Sequence, residues 1–256
     1  MTGRNTPAPG ALAVVVPAYR AAATVAEVIA RVQAANPGAT VLVVDDGSDD
    51  DTASRALAAG AAVASHETNR GKGRALVTGL AAAAALEGMQ YAVTIDADGQ
   101  HPPEAIADLL APLLAGDADL VVGARGRDRE LMPAPRRFTN WLSSTLVSRA
   151  LGTDVPDSQS GFRAMTRAVA VAVRPAGLRY EFETEFLFAA AAGGFRIAAV
   201  PIPTVYGSAA SHFRPVRDTL ALCRVFLRHS RAILTGSVPP SPGAPVPRCP
   251  GAPVPR

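Results

Sequence analysis

Two acidic stretches of the chain share one arrangement. "VLVVDDGSDDDT" (41–52) and "TIDADGQHPPE" (94–104) each carry an apolar run into carboxylates and a glycine. In the second, Asp96 and Asp98 stand two residues apart, so extended backbone turns both to one side. Like charges that close repel. A hard divalent cation, Mg2+ or Mn2+, would compensate them, with Gln100 adding a third oxygen. A cation held there would bridge to a diphosphate and neutralise it as it departs. In the first stretch, Asp45 and Asp46 can accept hydrogen bonds from a ribose or a base, while Asp49, Asp50 and Asp51 read as caps for the next helix. A plainer reading stands beside this one: D-x-D followed by glycine is also an acidic turn.

"NRGKGRAL" places Arg70, Gly71, Lys72 and Gly73 at a helix start, where backbone N–H groups attract phosphate. The G-x-x-x-x-G-K-[ST] spacing of a P-loop is absent, and a solvated basic helix start would look the same. Further on, "ARGRDRELMPAPRR" (124–137) is a basic, proline-containing loop and "DSQSGF" a second polar loop.

The elements that must position these residues follow from periodicity. Continuous apolar runs predict buried strands at Leu12 to Val16, Val41 to Val44 and Tyr91 to Ile95. Weaker strand signals lie at 62–65, 119–123 and 195–200. Helical spacing predicts helices over 24–35 (Thr24 as N-cap), 52–59, 73–87, 103–114, 138–151, 181–192 and 215–234. Strands and helices alternate in the first half, which specifies an α/β domain with a mostly parallel sheet flanked by helices. Ligands of such sheets bind outside the carboxyl ends of the strands, where both acidic stretches fall.

The chain divides into a polar leader (1–10), a catalytic-type domain (11–212), an amphipathic helix (213–236) and a tail (237–256). The tail repeats "PGAPVPR" and has no apolar face to bury. Hydrophobic residues make up 48% of 256, enough for a full core, and no apolar stretch approaches the 18 or so residues of a membrane span. The apolar run at 11–16 is too short for a signal peptide. Cys223 and Cys249 make no disulfide framework, and Cys223 reads as a small core or interface residue. These features predict a cytoplasmic protein, or one peripheral to the cytoplasmic face of a membrane. A pI near 9.2 with arginine crowded in the second half favours an anionic partner. In the last helix, Arg217, Arg224, Arg228 and Arg231 share a narrow arc. Val216, Leu220, Cys223, Leu227 and Leu234 lie beside it, and Phe226 and Ile233 opposite. That pattern suits an anionic membrane surface, or a helix whose apolar side covers the domain.

"VVVPAYRAAATVAEVI", "VLVVDDGSDDDT", "NRGKGRAL", "TIDADGQHPPE", "SQSGFRAM", "YEFETE" and "SHFRPVRDTL" occur in this order. Together they resemble a family 2 glycosyltransferase of GT-A fold, on the branch of polyprenyl-phosphate (dolichyl-phosphate) mannosyl- and glucosyltransferases, over about residues 11–230. The resemblance implies an inverting hexosyltransferase using GDP-mannose or UDP-glucose. It implies that Pro17, Ala18 and Tyr19 line the nucleotide site, with Lys72 near it, and that Asp45 and Asp46 hold base and ribose. Asp96, Asp98 and Gln100 would bind Mg2+ or Mn2+ on the diphosphate. Arg125, Arg136, Arg137, Ser160 and Arg163 would face an acceptor phosphate, with Arg214 near the phosphates. The glutamates of "YEFETE" receive no role.

The nucleophile is the remaining question. A phosphate monoester is largely ionised near neutral pH and needs only arginines to place it. A sugar hydroxyl needs a base, and Asp157 is the best candidate in the acceptor-side segment. The arginines favour phosphate. A family member acting on a hydroxyl or soluble acceptor is the alternative. A nucleotidyltransferase is disfavoured because no G-x-G follows the first strand, and a binding protein without catalysis because both acidic strand ends are intact. No feature points to nucleic acid.

Overall fold

A computed structural model describes residues 7–125, 134–175, 181–203, 223–235 and 238, with backbone alone for 134–138 and 233. Seven strands form one sheet in the order β3-β2-β1-β4-β6-β5-β7. They are β1 (Leu12–Ala18), β2 (Thr40–Asp45), β3 (Ala62–Ser65), β4 (Tyr91–Thr94), β5 (Leu120–Arg125), β6 (Arg163–Thr166) and β7 (Ile197–Ile202). Every pairing is parallel except the two made by β6. The helices are α1 (Val25–Ala35), α2 (Thr52–Ala58), α3 (Lys72–Ala85), α4 (Ile106–Leu114, after a 3-10 turn Pro103–Ala105), α5 (Ala134–Leu151), α6 (Arg167–Ala172), α7 (Glu181–Ala192), α8 (223–228) and α9 (Ser230–Thr235).

β1 is buried along its whole length, as its unbroken apolar run requires. Val14 and Val16 face a core shared with α1 and α4; Ala13 and Val15 face the opposite core, shared with α3, α6 and α7. Helix α3 lies close on the sheet because residue 79 is glycine: a Cβ there would stand 2.3 Å from Val15 Cγ1. That approach fixes the depth at which α3 starts, and Lys72 is its first residue.

The predicted elements reappear with shifted ends. β1 runs two residues longer, and β7 lies two residues later than expected. Strand β6 was not anticipated. It has four residues, begins with a charged one and shows no alternation to read. It decides the site nonetheless. Arg163 pairs with Thr94 on one side and Val122 on the other. Because β6 is antiparallel, its start lies at the edge where β1, β2, β4 and β5 end. The "SQSG" loop is thereby delivered beside the D-x-D turn.

Thr24 stands at the N-cap of α1, but its hydroxyl does not cap the helix; it donates to the Ala97 carbonyl at 2.6 Å, inside the D-x-D turn. Residues 7–10, assigned to the leader by composition, enter a turn closed by Ala11 N–H to the Ala8 carbonyl at 2.9 Å and tied to the domain by Gly10 N–H to the Gly38 carbonyl at 2.9 Å. The last helix breaks at His229 into α8 and α9. Its buried residues are Val225 and Ala232, and Leu227 and Leu234 are exposed. Cys223 is exposed, so it is not a core residue. Arg228 donates to Glu185 at 2.7 Å, and His229 stacks on Phe188 with ring centroids 4.0 Å apart. Within the described part, this segment covers the domain. Arg214, Arg217, Val216, Leu220, residues 1–6 and the repeat of the tail lie outside the described residues. Among those described, no helix is long and apolar enough to cross a membrane.

Candidate functional site

Two of the acidic strand ends differ in what surrounds them. At the end of β2, Asp45 accepts from Ser48 N–H and from the Ser48 hydroxyl. Asp46 is buried, and its carboxylate accepts from Arg70 N–H at 3.0 Å, Gly71 N–H at 2.7 Å and His66 Nδ1 at 2.7 Å. With Nδ1 donating, His66 Nε2 accepts from the Thr78 hydroxyl at 3.0 Å. Asp46 therefore fastens the turn that begins α3, with three donors of its own chain on its two carboxylate oxygens. The next three carboxylates are local. Asp49 pairs with Arg20 through both terminal oxygens, and Asp50 accepts from Thr52 N–H at 3.0 Å. Asp51 holds the N-cap position of α2 without a side-chain bond. Pro17 and Ala18 are buried at the end of β1, and Tyr19 is exposed with the Arg20 guanidinium over its ring.

At the end of β4 the carboxylates meet cations instead. Lys72 Nζ lies 2.8 Å and 3.0 Å from the two oxygens of Asp96, and 3.0 Å from Glu183 Oε1. Burial works against the ammonium, but Asp96 and Glu183 outweigh it and hold the Lys72 pKa above its ordinary value. Burial likewise opposes charge on Asp96. Lys72 and the other nearby cations prevail and keep its carboxyl below the usual range. Asp98 goes the other way: burial first, then the neighbouring Asp96 charge, push it up. Gln100 N–H accompanies it, donating to Asp98 Oδ1 at 3.0 Å. His101 is buried against Phe162, its Nε2 3.8 Å from Asp96. Burial, with Arg125 and Lys72 near, lowers its pKa to about 4 against the pull of Asp96, so the imidazole is neutral. Among the described residues, His101 Nδ1 and Glu183 Oε2 are buried side-chain atoms with no hydrogen-bond partner.

Gly161 closes this cluster. A Cβ there would stand 2.7 Å from Lys72 Nζ and 2.9 Å from both oxygens of Asp96. The glycine is held in place by its carbonyl, which accepts from the Thr94 hydroxyl at 2.7 Å. Only a residue without a side chain lets the loop pass so near the pair.

At the end of β5, Arg125 grips Asp157 through Nε at 2.6 Å and Nη2 at 3.1 Å, a bidentate pair with Asp157 buried. Arg163 is also buried. It donates to the carbonyls of Ser160 and Ser158, both at 2.9 Å, and lies over the Phe186 ring. Burial brings its pKa down to about 10. Ser160 is buried and its hydroxyl accepts from Phe162 N–H. Arg163 and Ser160 thus shape the "SQSG" loop from within. The side chains of Arg136 and Arg137, like Arg214, lie outside the described residues.

The expectation of a divalent cation can be tested on these residues. Asp98 is raised first by burial and then by the adjacent Asp96 charge, and a cation between the two carboxylates would offset both. Among the described residues, no group of three or more His, Cys, Asp or Glu is arranged around one point. The chain would supply two carboxylates, leaving the remaining positions to diphosphate and water. That donor set fits Mg2+ or Mn2+, which keep waters and bind phosphate oxygens.

Sequence reasoning named Asp96, Asp98, Lys72, Arg125, Asp157, Ser160 and Arg163 as site residues on separate strand ends, loops and a helix start; the structure sets Lys72 on Asp96, Arg125 on Asp157 and the Ser160–Arg163 segment beside the D-x-D turn. It missed Glu183, His101 and Gly161 as neighbours of Asp96. The signal for Glu183 was available: three glutamates alternate through "YEFETE" in an otherwise apolar helix, and a glutamate buried there needs a cation.

The glycosyl transferase family 2 model matches residues 13–173, more than half of the chain. The chain is 32% identical over 202 residues to the polyprenol monophosphomannose synthase of Mycolicibacterium smegmatis, covering 74% of this chain and 75% of that protein. It is 33% identical over 205 residues to the undecaprenyl-phosphate mannosyltransferase of Micrococcus luteus, covering 75% and 82%. Among solved structures, it superposes on glucosyl-3-phosphoglycerate synthase of Mycobacterium tuberculosis with a TM-score of 0.65 and 26% identity. That match covers 87% of this chain and 78% of the neighbour, which was solved with Mn2+, uridine diphosphate and phosphoglyceric acid. The mostly parallel sheet with β6 reversed is the GT-A arrangement, and the chain is a glycosyltransferase belonging to glycosyl transferase family 2.

Proposed function

We propose that this glycosyltransferase moves a hexose from a nucleotide sugar, GDP-mannose or UDP-glucose, to a polyprenyl phosphate, with inversion. The observation that carries the choice of acceptor is the Arg125–Asp157 pair. Asp157 was the best candidate base for a hydroxyl acceptor. It is buried and clasped by two nitrogens of an arginine. To take a proton from a hydroxyl it would first have to give up one of these two charge-assisted hydrogen bonds. A lipid phosphate already carries its negative charge and needs no base. The names of the mannosyltransferase relatives point the same way.

In this reading Asp96 and Asp98 hold Mg2+ or Mn2+, which would neutralise the departing nucleoside diphosphate. Lys72 brings a fixed positive charge to the same strand end, and Arg125 brings another from β5. Asp46 acts at one remove, by fixing the turn from which Lys72 projects. Access to a lipid acceptor would be peripheral, from the cytoplasmic face.

A second reading rests on the structural neighbour that was solved with phosphoglyceric acid: a soluble phosphorylated acceptor. One assay separates the two. The chain is incubated with radiolabelled GDP-mannose or UDP-glucose, Mn2+ and either undecaprenyl phosphate or 3-phosphoglycerate. Label passing into the organic phase only with the lipid phosphate supports the proposal. Label confined to water-soluble product with phosphoglycerate overturns it.

A further inference from the structure

We propose that Lys72 is a place-holder for the divalent cation on Asp96, and that Glu183 is the positioning residue that retains Lys72 when the cation arrives. The inference rests on the cation site proposed above and assigns roles to two residues beyond it.

An ammonium has three N–H donors. Lys72 spends them on both oxygens of Asp96 and on one oxygen of Glu183. A divalent cation taking the same Asp96 oxygens cannot share them with Nζ, since the two positive charges would stand within a few ångströms in a poorly solvated site. Lys72 must then leave Asp96. Glu183 offers it a place: Oε1 is already bonded, and Oε2 is buried with no partner among the described residues. A buried carboxylate oxygen left without a donor is costly. That cost falls when Lys72 turns its freed donors toward Glu183. The flexible four-carbon stem of lysine permits such a turn. The ground is also kept clear. Gly161 presents no Cβ to Nζ, and the Thr94 hydroxyl together with the β4–β6 pairing fixes the glycine where it is. The positive charge therefore stays at the strand end instead of being expelled to water, and the half-buried Asp96 is never left uncompensated.

The test is a four-protein cycle on the full chain: wild type, Lys72→Met, Glu183→Gln and the double variant. Binding of Mn2+ alone, added as MnCl2, is read by the loss of the free Mn2+ electron paramagnetic resonance signal. Lys72→Met removes the competitor and should tighten Mn2+ about tenfold, the scale of a direct charge coupling. Glu183→Gln leaves Lys72 no alternative to Asp96 and should weaken Mn2+ by a similar factor. In the Lys72→Met background the same Glu183→Gln change should alter affinity less than about twofold, because no lysine remains to retain. Equal weakening in both backgrounds would mean that Glu183 acts on the cation directly and would overturn the proposal. So would a Lys72→Met variant that fails to tighten Mn2+. That single variant also decides the matter if Glu183→Gln does not fold. If wild type binds no Mn2+ even with uridine diphosphate present, the cation site falls and the place-holder with it. If wild type binds Mn2+ but the cycle shows no coupling, only the place-holder falls.

Discussion

The carboxylates that end β2 and those that follow β4 look alike in sequence and do opposite work. Asp46 is buried, and two backbone N–H groups and a histidine already bond its carboxylate. Asp96 is more open, shares a lysine with Glu183, and sits beside a second carboxylate whose charge the fold resists. The first end is rigid because every donor that meets it belongs to a fixed backbone or a packed ring. The second is exchangeable because its partner sits on a flexible stem. Asp46 meets two backbone N–H groups and a packed ring, whereas the cation in contact with Asp96 is the end of one lysine side chain.

The largest effect that tests this contrast belongs to Asp98. Asp98→Asn should lower transfer by about a hundredfold to a thousandfold, the usual scale for losing one preorganised electrostatic contact to a leaving group. It should also abolish Mn2+ binding. Stability should move the opposite way. The folded-state pKa of Asp98 is raised, so its contribution is favourable below that pKa and lost as pH rises through it. Wherever the group is ionised it is a burden, and Asn removes it. Melting in EDTA should therefore show a Tm at or above that of wild type. A clear fall in Tm would make Asp98 a structural residue like Asp46.

Asp46 should give the reverse pattern. Asp46→Ala leaves the Arg70 and Gly71 N–H groups and the His66 ring without their acceptor. Unmet buried donors together should lower stability by roughly 3 kcal/mol. Urea denaturation measures the loss. Affinity for the nucleotide should fall as a consequence, since Lys72 projects from the turn that Asp46 holds. An Asp46→Ala protein of normal stability and weakened nucleotide binding would show instead that Asp46 meets the ligand.

Gly161→Ala tests the neighbouring ground, with a smaller effect. The added methyl must displace Lys72 or Asp96, and the lysine end is the part that can yield. A tight fit of this kind costs about 1–3 kcal/mol. Cation-free stability should fall by about that much, because the Lys72–Asp96 pair must open. A crystal structure of the variant with Lys72 undisturbed on Asp96 would contradict the packing described here.

What the sequence made legible follows the same physics. The parallel half of the sheet was readable because its strands are buried on both faces and announce themselves as unbroken apolar runs, as in 12–16 and 41–44. Asp96, Asp98 and Asp46 were readable because strand ends are where such sheets bind ligands. β6 was not, because its pairing with β4 and β5 is a long-range fact that four residues beginning with arginine do not encode. The contacts of Gly161 and Glu183 were hidden with it, since both reach Asp96 only through that pairing and the packing of α7. Thr24 teaches a narrower lesson. Its residue type fitted an N-cap, yet the hydroxyl found a closer acceptor in Ala97, from a loop distant in sequence. In the last helix, the wheel put Phe226 and Ile233 opposite the arginines. Phe226 is indeed half-buried against the core, but the wheel could not foresee the break at His229 or the burial of Val225 and Ala232 on either side of it.

The smallest effect belongs to Asp49, three residues after Asp46 in the same acidic stretch. Asp49 and Arg20 form a bidentate pair at 2.7 Å, but both side chains are largely exposed. Arg20 holds Asp49 below the ordinary carboxylate range, with the side-chain hydrogen bond as the leading cause. Water and salt screen such a pair, and the order it imposes on two long side chains offsets much of its attraction. Asp49→Asn should therefore leave the melting temperature, Mn2+ affinity and transfer rate indistinguishable from wild type. The two aspartates share a loop and a charge and differ only in burial and in the donors they meet. If Asp49→Asn raises the KM for the nucleotide sugar while leaving kcat unchanged, the Arg20–Asp49 pair belongs to the binding surface. The scaffold would then end at Asp46, and the site would extend over the loop that follows it.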